Sequence, residues 1–521
     1  MNDATALLRS DATQTETFDV LIVGAGISGI GGAYHLTTQR PGTTFAILEG
    51  KDTFGGTWVT HKYPGIRSDS DLHTFGYRFK PWKGVPIATA PEILSYMGEV
   101  IEENGLAQYI RYRHKVLTAR WSSEDALWTV EGVRADTGEP FRYAANFLWM
   151  CQGYYKHEEG YTPEWPGMAD YRGQIVHPMT WPEDLDYRGK TVVVIGSGAT
   201  AATIIPAMAP DAGQITMLQR SPTYFMPGRN AIALAEELRE LKVDEAWIHE
   251  IVRRRIILDQ AKFTRRTFEE PEKVRAELLG AARAHLGEDY DIDTHFSPRY
   301  RPWRQRLAFI PDGDLFKAIR SGKASVVTDE IERFTERGIL LKSGQELAAD
   351  IVITATGFHL LMLGDIAFNV DGKRLNFADT ITYRGMMFTG LPNCAWVFGY
   401  FRASWTLRAD LVADFVCRLL KHMNAKGARK VQVALRPEDA DMKILPWIDD
   451  EDFNPGYMTR GTHLLPKRGD KPEWAHTQDY WTEKDTIPAT DLDDAAFVYS
   501  VPAEPAMTDA DATATPLRAS A

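Results

Sequence analysis

Apolar residues run almost unbroken over 18–23 (FDVLIV) and 191–195 (TVVVI), and each run stops at a glycine-rich turn. Short uninterrupted runs of this kind read as strands covered on both faces, as in a parallel sheet. After each turn the apolar positions take a helical spacing, over 27–38 and from Ala199 onward. A second short strand pattern then follows, TFAILEG in the first case and ITMLQRS (215–221) in the second. The repeated strand–turn–helix–strand order predicts an α/β chain with two dinucleotide-binding, Rossmann-like domains. A hydropathy scan alone would flag 191–210 as long enough to span a bilayer. The glycines at 196 and 198 divide that stretch into a strand and a helix, so no integral membrane segment is expected.

Between the units, 128–133 and 147–151 read as further strands of the first domain. From 231 to 291 the pattern turns amphipathic, charged and helical (AIALAEELRELK, AELLGAARAHL). Strand patterns return at ASVVTDEIERFT, ILLKSG and ADIVITATG. The implied division is a disordered lead-in (1–17), a first dinucleotide domain in two pieces (18–155 and 355–502) and a second, also in two pieces (156–228 and 299–354). A helical insertion (229–298) interrupts the second domain, and a flexible tail (503–521) closes the chain. Within the insertion, VRRRIILDQAKFTRR (252–266) reads as a solvated helix face, with attachment to anionic lipid as the other reading.

Composition narrows the partners. The 521 residues carry a net charge of −12, which argues against nucleic acid, where binding rests on neutralising phosphates. The three cysteines, Cys151, Cys394 and Cys417, form no CxxC pair and suggest a reducing, cytoplasmic setting. No His, Cys or carboxylate cluster has metal-ligand spacing, so no metal is expected.

A lone GxGxxG is a weak signal, but Gly24, Gly26 and Gly29 sit between a strand and a helix, and Glu49 ends the next strand. Glycines let the backbone approach a pyrophosphate at a helix N-terminus, and a carboxylate at that spacing accepts ribose hydroxyls. This site suits the ADP half of FAD. The second turn has Gly196, Gly198, Ala199 and Thr200, and its following strand ends in Gln219, Arg220 and Ser221 rather than an acid. A guanidinium grips a 2′-phosphate that a carboxylate would repel, so NADPH is expected over NADH. A hydride donor and a hydride acceptor on one chain imply redox chemistry.

The segment YRGQIVHPMTWP (171–182) carries Tyr171, Gly173, His177, Trp181 and Pro182 at fixed spacing. It resembles the fingerprint of type I Baeyer–Villiger monooxygenases, with Tyr171 where that family usually has Phe. GGTW (Gly55, Gly56, Thr57, Trp58) and YPGIRSDSD (63–71) look like the family's flavin-flanking loops, and Asp350 with ATG (355–357) like its return to the first domain. The resemblance extends to RPWRQRL, PDGDLF and the ASWTL stretch containing Trp405.

The resemblance implies that NADPH reduces FAD, that O2 adds to form a C4a-peroxyflavin, and that this attacks a ketone to give an ester or lactone; sulfur compounds are a further substrate class. It assigns Arg306 as the cation that stabilises the oxygen anion and Asp69 as the acid that orients it. Gln305 departs from the family, where many members place a Lys beside that Arg. His177 and Trp181 would lie near a hinge and respond to NADP; a histidine satisfied by backbone is the other reading. Trp405 would line the nicotinamide or substrate pocket, or else belong to the core. Two alternatives stay open: a flavin monooxygenase acting only on N and S nucleophiles, and a non-catalytic flavoprotein that senses NADPH.

Overall fold

The computed structural model describes residues 15–501. Most of the expected lead-in and the whole expected tail lie outside the described residues. Glu16 and Thr17, expected to precede the fold, instead open the first strand, Glu16–Val23, paired with Tyr143 and Ala144. The partner strand, Pro140–Met150, is long enough to keep bonding polar residues beyond the apolar run.

The first sheet has nine strands. Glu16–Val23 runs parallel to Phe45–Leu48 on one side and to Pro140–Met150 on the other. Side chains alternate across a strand. Val20 and Ile22 therefore enter one core and Leu21 and Val23 another, which is why no polar residue falls between 20 and 23. Pro140–Met150 pairs antiparallel with Leu127–Arg134, which pairs antiparallel with His114–Ser122. The chain returns to this sheet late: Ala367–Val370 joins His114–Ser122, and Cys394–Trp396 joins Pro140–Met150.

The second sheet is five-stranded and wholly parallel, in the order Ala324–Thr328, Gln214–Gln219, Thr191–Ile195, Ile351–Thr354, Gln174–Val176. Its edge strand, Gln174–Val176, comes from the 171–182 segment. The stretch 191–210 is the strand Thr191–Ile195 and the helix Ala199–Met208. No helix among the described residues is long and apolar enough to cross a membrane. One antiparallel pair, Tyr155–Gly160 with Phe358–Leu360, lies where the chain leaves and re-enters the first sheet.

The insertion folds as the helices Ala233–Glu240, Glu245–Glu269 and Pro271–Leu286. In its basic stretch Arg254 pairs with Glu250 and Arg255 with Asp259 at one-turn spacing, as a solvated face would. Arg253 departs from that reading. It is buried and donates to the carbonyls of His73, Thr74 and Gly76 at 2.9, 3.1 and 3.1 Å. Those carbonyls belong to a short helix, Leu72–Phe75, and its cap; that of Thr74 also accepts from the Thr406 hydroxyl, while those of His73 and Gly76 have no other partner among the described residues. One arginine thus docks the insertion onto the first domain.

Candidate active site

The first glycine turn is forced by close backbone approach. A Cβ on Gly29 would lie 1.9 Å from the Gly24 carbonyl oxygen, and Gly24 itself has φ +104°. The helix Ile27–Gln39 begins at Gly26 with no side chain capping it, so its first-turn N–H groups are available to an anion. Gly56 closes over this turn, its would-be Cβ 3.2 Å from the Gly26 Cα. Thr57 bonds the Tyr155 hydroxyl at 2.7 Å, and Trp58 packs edge-on against Phe75. Glu49 is buried and accepts from the Ala25 and Lys51 amides at 2.7 and 2.9 Å, one on each oxygen. Each oxygen keeps a lone pair for a ribose hydroxyl. This donor and acceptor set fits the ADP portion of FAD.

The second turn repeats the design with one difference. Gly196 has φ +123° and would place a Cβ 2.4 Å from the Ala355 carbonyl oxygen, whereas a Cβ on Gly198 would meet nothing within 4 Å. The freedom at Gly198 is therefore not needed by the protein's own packing. The helix Ala199–Met208, which starts with Ala199 and Thr200, again has no side-chain cap. Arg220 and Ser221 follow the strand Gln214–Gln219 and are exposed beside this turn. Gln219, in contrast, is buried and donates to the His295 carbonyl and the Thr328 hydroxyl.

A loop of the first domain crosses to the second site. Tyr63 is buried with its hydroxyl against Thr200, and burial pushes its pKa well above the ordinary phenol range. A Cβ on Gly65 would lie 2.5 Å from that of Ala207. Arg67 donates to Asp314 at 2.5 Å. The loop ends at Asp69, whose carboxylate lies 3.6 Å from the Arg306 guanidinium. Sequence had placed these two residues far apart; the fold brings them together.

Arg306 stands on a segment held from several sides. Trp303 adopts φ +67°, a left-handed conformation costly for a bulky residue. Its carbonyl accepts from Arg402 at 3.3 Å, and the Arg304 carbonyl accepts from the Asn454 amide at 2.9 Å. Arg301 and Arg402 both pair with Asp452. Burial alone would lower the Arg306 pKa, but the oxygens of Tyr457, Tyr154 and Asp69 outweigh it and hold the guanidinium well above its ordinary value. Arg306 is a fixed cation.

The 171–182 residues are tied to the framework. Tyr171, the departure from Phe, is buried and donates its hydroxyl to the Ala349 carbonyl at 2.9 Å. A Cβ on Gly173 would lie 2.5 Å from the Asp350 carbonyl. His177 uses both ring nitrogens on backbone: one lies 3.0 Å from the Gly357 carbonyl, and the other accepts from the Met179 amide at 3.0 Å. Burial lowers its pKa, partly offset by contact with the Gly357 and Tyr161 backbone. His177 therefore fastens the linker at the crossing strands, the backbone-satisfied arrangement. Trp181 packs against the core of the second domain. Trp405 begins the helix Trp405–Ala425, donates to Ser28 Oγ at 2.8 Å, and stacks on Tyr154 at 5.4 Å. Ser28 lies within the Gly24–Gly29 segment, in the first turn of the helix Ile27–Gln39, so Trp405 is fastened to the first glycine turn.

Tyr154 and Tyr457 were missed from sequence. Tyr154 sits at the crossing strands and Tyr457 in the helix Gly456–Gly461, with no motif marking either. Both phenols flank Arg306.

Comparison with known proteins agrees with this arrangement. Residues 22–83 match the NAD(P)-binding Rossmann-like domain model and 87–232 the flavin-binding monooxygenase-like model. The FAD-containing monooxygenase EthA of Mycolicibacterium smegmatis is 46% identical over 488 residues, spanning 93% of this chain and 98% of that protein. The probable FAD-binding monooxygenase AlmA of Acinetobacter baylyi is 41% identical over 481 residues, spanning 92% and 95%. Among solved structures, an oxidized steroid monooxygenase bound to NADP superposes with a TM-score of 0.73 at 22% identity, covering 93% of this chain and 100% of that one. A cyclohexanone monooxygenase gives 0.71 at 20% identity, with 93% and 100% covered. With two uncapped glycine-turn helices, a ribose-ready Glu49 and near full-length relatives, the chain belongs to the FAD-containing flavoprotein monooxygenases.

Proposed function

We propose that this protein uses NADPH and O2 to insert an oxygen atom beside a ketone carbonyl, giving an ester or lactone, and also oxidises sulfides. The observation that carries the reading is the Arg306–Asp69 pair at 3.6 Å, at the end of the loop whose Tyr63 meets Thr200 of the second glycine turn. Bound FAD supplies hydride acceptance and oxygen activation. Glu49, Gly56, Thr57, Trp58 and the uncapped helix after Gly26 would hold it. The helix after Gly198, with Arg220 and Ser221, would hold NADPH through its pyrophosphate and 2′-phosphate.

Insertion next to a carbonyl builds negative charge on oxygen, and a preorganised cation offsets that charge most effectively. Arg306 meets the requirement at any ordinary pH, because a guanidinium stays protonated. Asp69 aims it, and the loop from Tyr63 to Asp69 links that aim to the nicotinamide nucleotide site. His177 and Trp181 act as the hinge anchor that lets the two domains shift about the crossing strands.

The test mixes purified protein with NADPH, O2 and a panel of ketones and sulfides, followed by mass spectrometry. Esters or lactones support the proposal. Sulfoxides or N-oxides alone would indicate an enzyme restricted to soft nucleophiles, and tight nucleotide binding with no product a sensor.

A further inference from the structure

Glu49 and Gln219 occupy equivalent places in the two dinucleotide units. The Gly24 amide donates to the Leu48 carbonyl and the Gly196 amide to the Leu218 carbonyl, each at 2.8 Å, and Glu49 and Gln219 come next in the chain. Glu49 faces its own glycine turn and accepts from the Ala25 amide. Gln219 turns instead toward the neighbouring parallel strand, Ala324–Thr328. Its Nε2 donates to the His295 carbonyl at 2.7 Å and to the Thr328 hydroxyl at 2.9 Å, and that hydroxyl lies 2.9 Å from His295 Nδ1. The second unit thus uses the side chain at its ribose position to hold a histidine of the helical insertion.

This short chain of bonds decides which ring nitrogen carries the hydrogen. A carbonyl only accepts, so the amide nitrogen of Gln219 must face His295, and both its hydrogens are then used. The Thr328 oxygen accepts one of them. Its own hydrogen has no acceptor among the described residues except His295 Nδ1. Nδ1 is therefore the acceptor, and Nε2 carries the hydrogen. Burial holds the pKa of the ring below its usual value, with Asp291 opposing, so the ring is neutral at neutral pH. Nε2 has no partner among the described residues, and the ring is partly exposed. The ring is also held in place: Ile292 and Phe296, on either side, are buried in the core of the second domain, and Asp291 caps the short helix Ile292–His295.

His295 stands at the carboxyl ends of the strands Gln214–Gln219 and Ala324–Thr328, the side of a parallel sheet where nucleotides bind. Arg220 and Ser221, both exposed, follow Gln219 directly. Just beyond them the Ser197 hydroxyl ties Thr223 to the second glycine turn at 2.8 Å. The Arg220–Ser221 pair is therefore pinned between His295 on one side and that turn on the other. An outward N–H with no acceptor of its own at such a place matches an anionic oxygen.

We propose that His295 is an NADPH-specificity residue, its Nε2–H donating a hydrogen bond to the 2′-phosphate that Arg220 grips. This rests on the nucleotide placement given above and is independent of the ketone reading. Arg220 supplies charge, and His295 adds a directed neutral donor. NADH has no phosphate there and gains nothing from it.

The test titrates the FAD-loaded, oxidised enzyme with NADP+ and NAD+, which differ only in the 2′-phosphate, and reads binding by calorimetry without turnover. His295→Asn keeps an acceptor near Thr328 but loses the outward donor; His295→Gln sets an amide N–H close to the Nε2 position. His295→Asn should bind NADP+ about 10-fold more weakly, the low end for a hydrogen bond to a charged group, and NAD+ within about 2-fold of wild type. His295→Gln should recover most of that loss, with FAD content and Tm unchanged in both. On the wild type, NADP+ should shield His295 from diethyl pyrocarbonate, read by peptide mass spectrometry, more than NAD+ does at matched occupancy.

Unchanged NADP+ affinity in His295→Asn overturns the proposal. So does an equal loss for the two nucleotides, which would mark a structural role or a contact to the adenosine itself. A Gln variant as weak as the Asn variant also overturns it, as does equal shielding of the wild type, a result that needs no variant to fold. Arg220→Ala separates this proposal from the placement beneath it. If Arg220→Ala leaves NADP+ affinity unchanged while His295→Asn lowers it, the role of Arg220 falls and His295 stands; the opposite pattern removes His295 alone.

Discussion

Replacing Arg306 with Ala separates charge from scaffold. The guanidinium is 3.6 Å from Asp69, with the two side chains 33% and 44% exposed. At an effective dielectric near 20, two unit charges at that distance attract by about 4–5 kcal/mol. Exposure and side-chain entropy cut the net worth of such a pair to about 0–1 kcal/mol. Asp69, half in water, can rehydrate when its partner is lost. The stability cost should therefore stay below about 1 kcal/mol, a shift of no more than about 2–4 °C in Tm. The catalytic cost has another origin, the loss of a preorganised cation where anionic oxygen develops. One such donor is typically worth about 2.7–4 kcal/mol, or about 10²–10³ in rate. Arg306→Ala should still oxidise NADPH but release hydrogen peroxide in place of ester. The assay follows NADPH by its absorbance, peroxide by a peroxidase-coupled dye, and ester by mass spectrometry, beside a melting curve. Ester at the wild-type rate would remove Arg306 from the chemistry. A fall in Tm well beyond the stated range would mean that the variant reports on folding.

Three further outcomes follow from the geometry. Arg220→Ala should raise the NADPH KM about 10- to 100-fold, the worth of a charged hydrogen-bond partner, and barely change that for NADH; equal effects would refute its role at the 2′-phosphate. Gly198→Ala should keep Tm and FAD content but weaken NADPH binding, since the added Cβ meets no protein atom, whereas Gly29→Ala should lose both, its Cβ falling 1.9 Å from a backbone oxygen; matching behaviour in the two variants would contradict this division. Burial would lower the His35 pKa, but pairing with Asp410 and Asp414 raises it to about 9. A raised folded-state pKa stabilises fully below the unfolded value near 6.5, and that contribution disappears as pH climbs through about 9. Wild-type stability should thus fall across this window by a term on the order of 3 kcal/mol, seen as a falling Tm, and His35→Gln should flatten the fall; an unchanged slope in the variant would count against the pairing.

Much of the architecture was open to inspection in the chain because its signals are local. An apolar run meeting glycines at 24, 26 and 29 encodes a covered strand and a tight turn within a few residues, and Glu49 follows at a distance set by one helix and one strand. Both dinucleotide turns and the helical insertion could be read for that reason. The strand start at Glu16 was not, because polar residues join a sheet only when a partner strand reaches them. Burial of Arg253 also escaped, since its partners are carbonyls of another element rather than any nearby residue.

The reacting centre is of the second kind. Asp69 and Arg306 could be named from resemblance, but their contact depends on a loop of one domain packing on a helix of the other at Gly65 and Ala207. The sequence left His177 between a residue responding to NADP and one satisfied by backbone; in space both its ring nitrogens meet backbone groups. Tyr154 and Tyr457 had no signature at all, because their meeting beside Arg306 is created by long-range docking onto the crossing strands. Periodicity and turn chemistry act over a few residues and are written along the chain. Convergence of side chains from segments far apart is a property of packed elements, and it exists only once the chain has closed on itself.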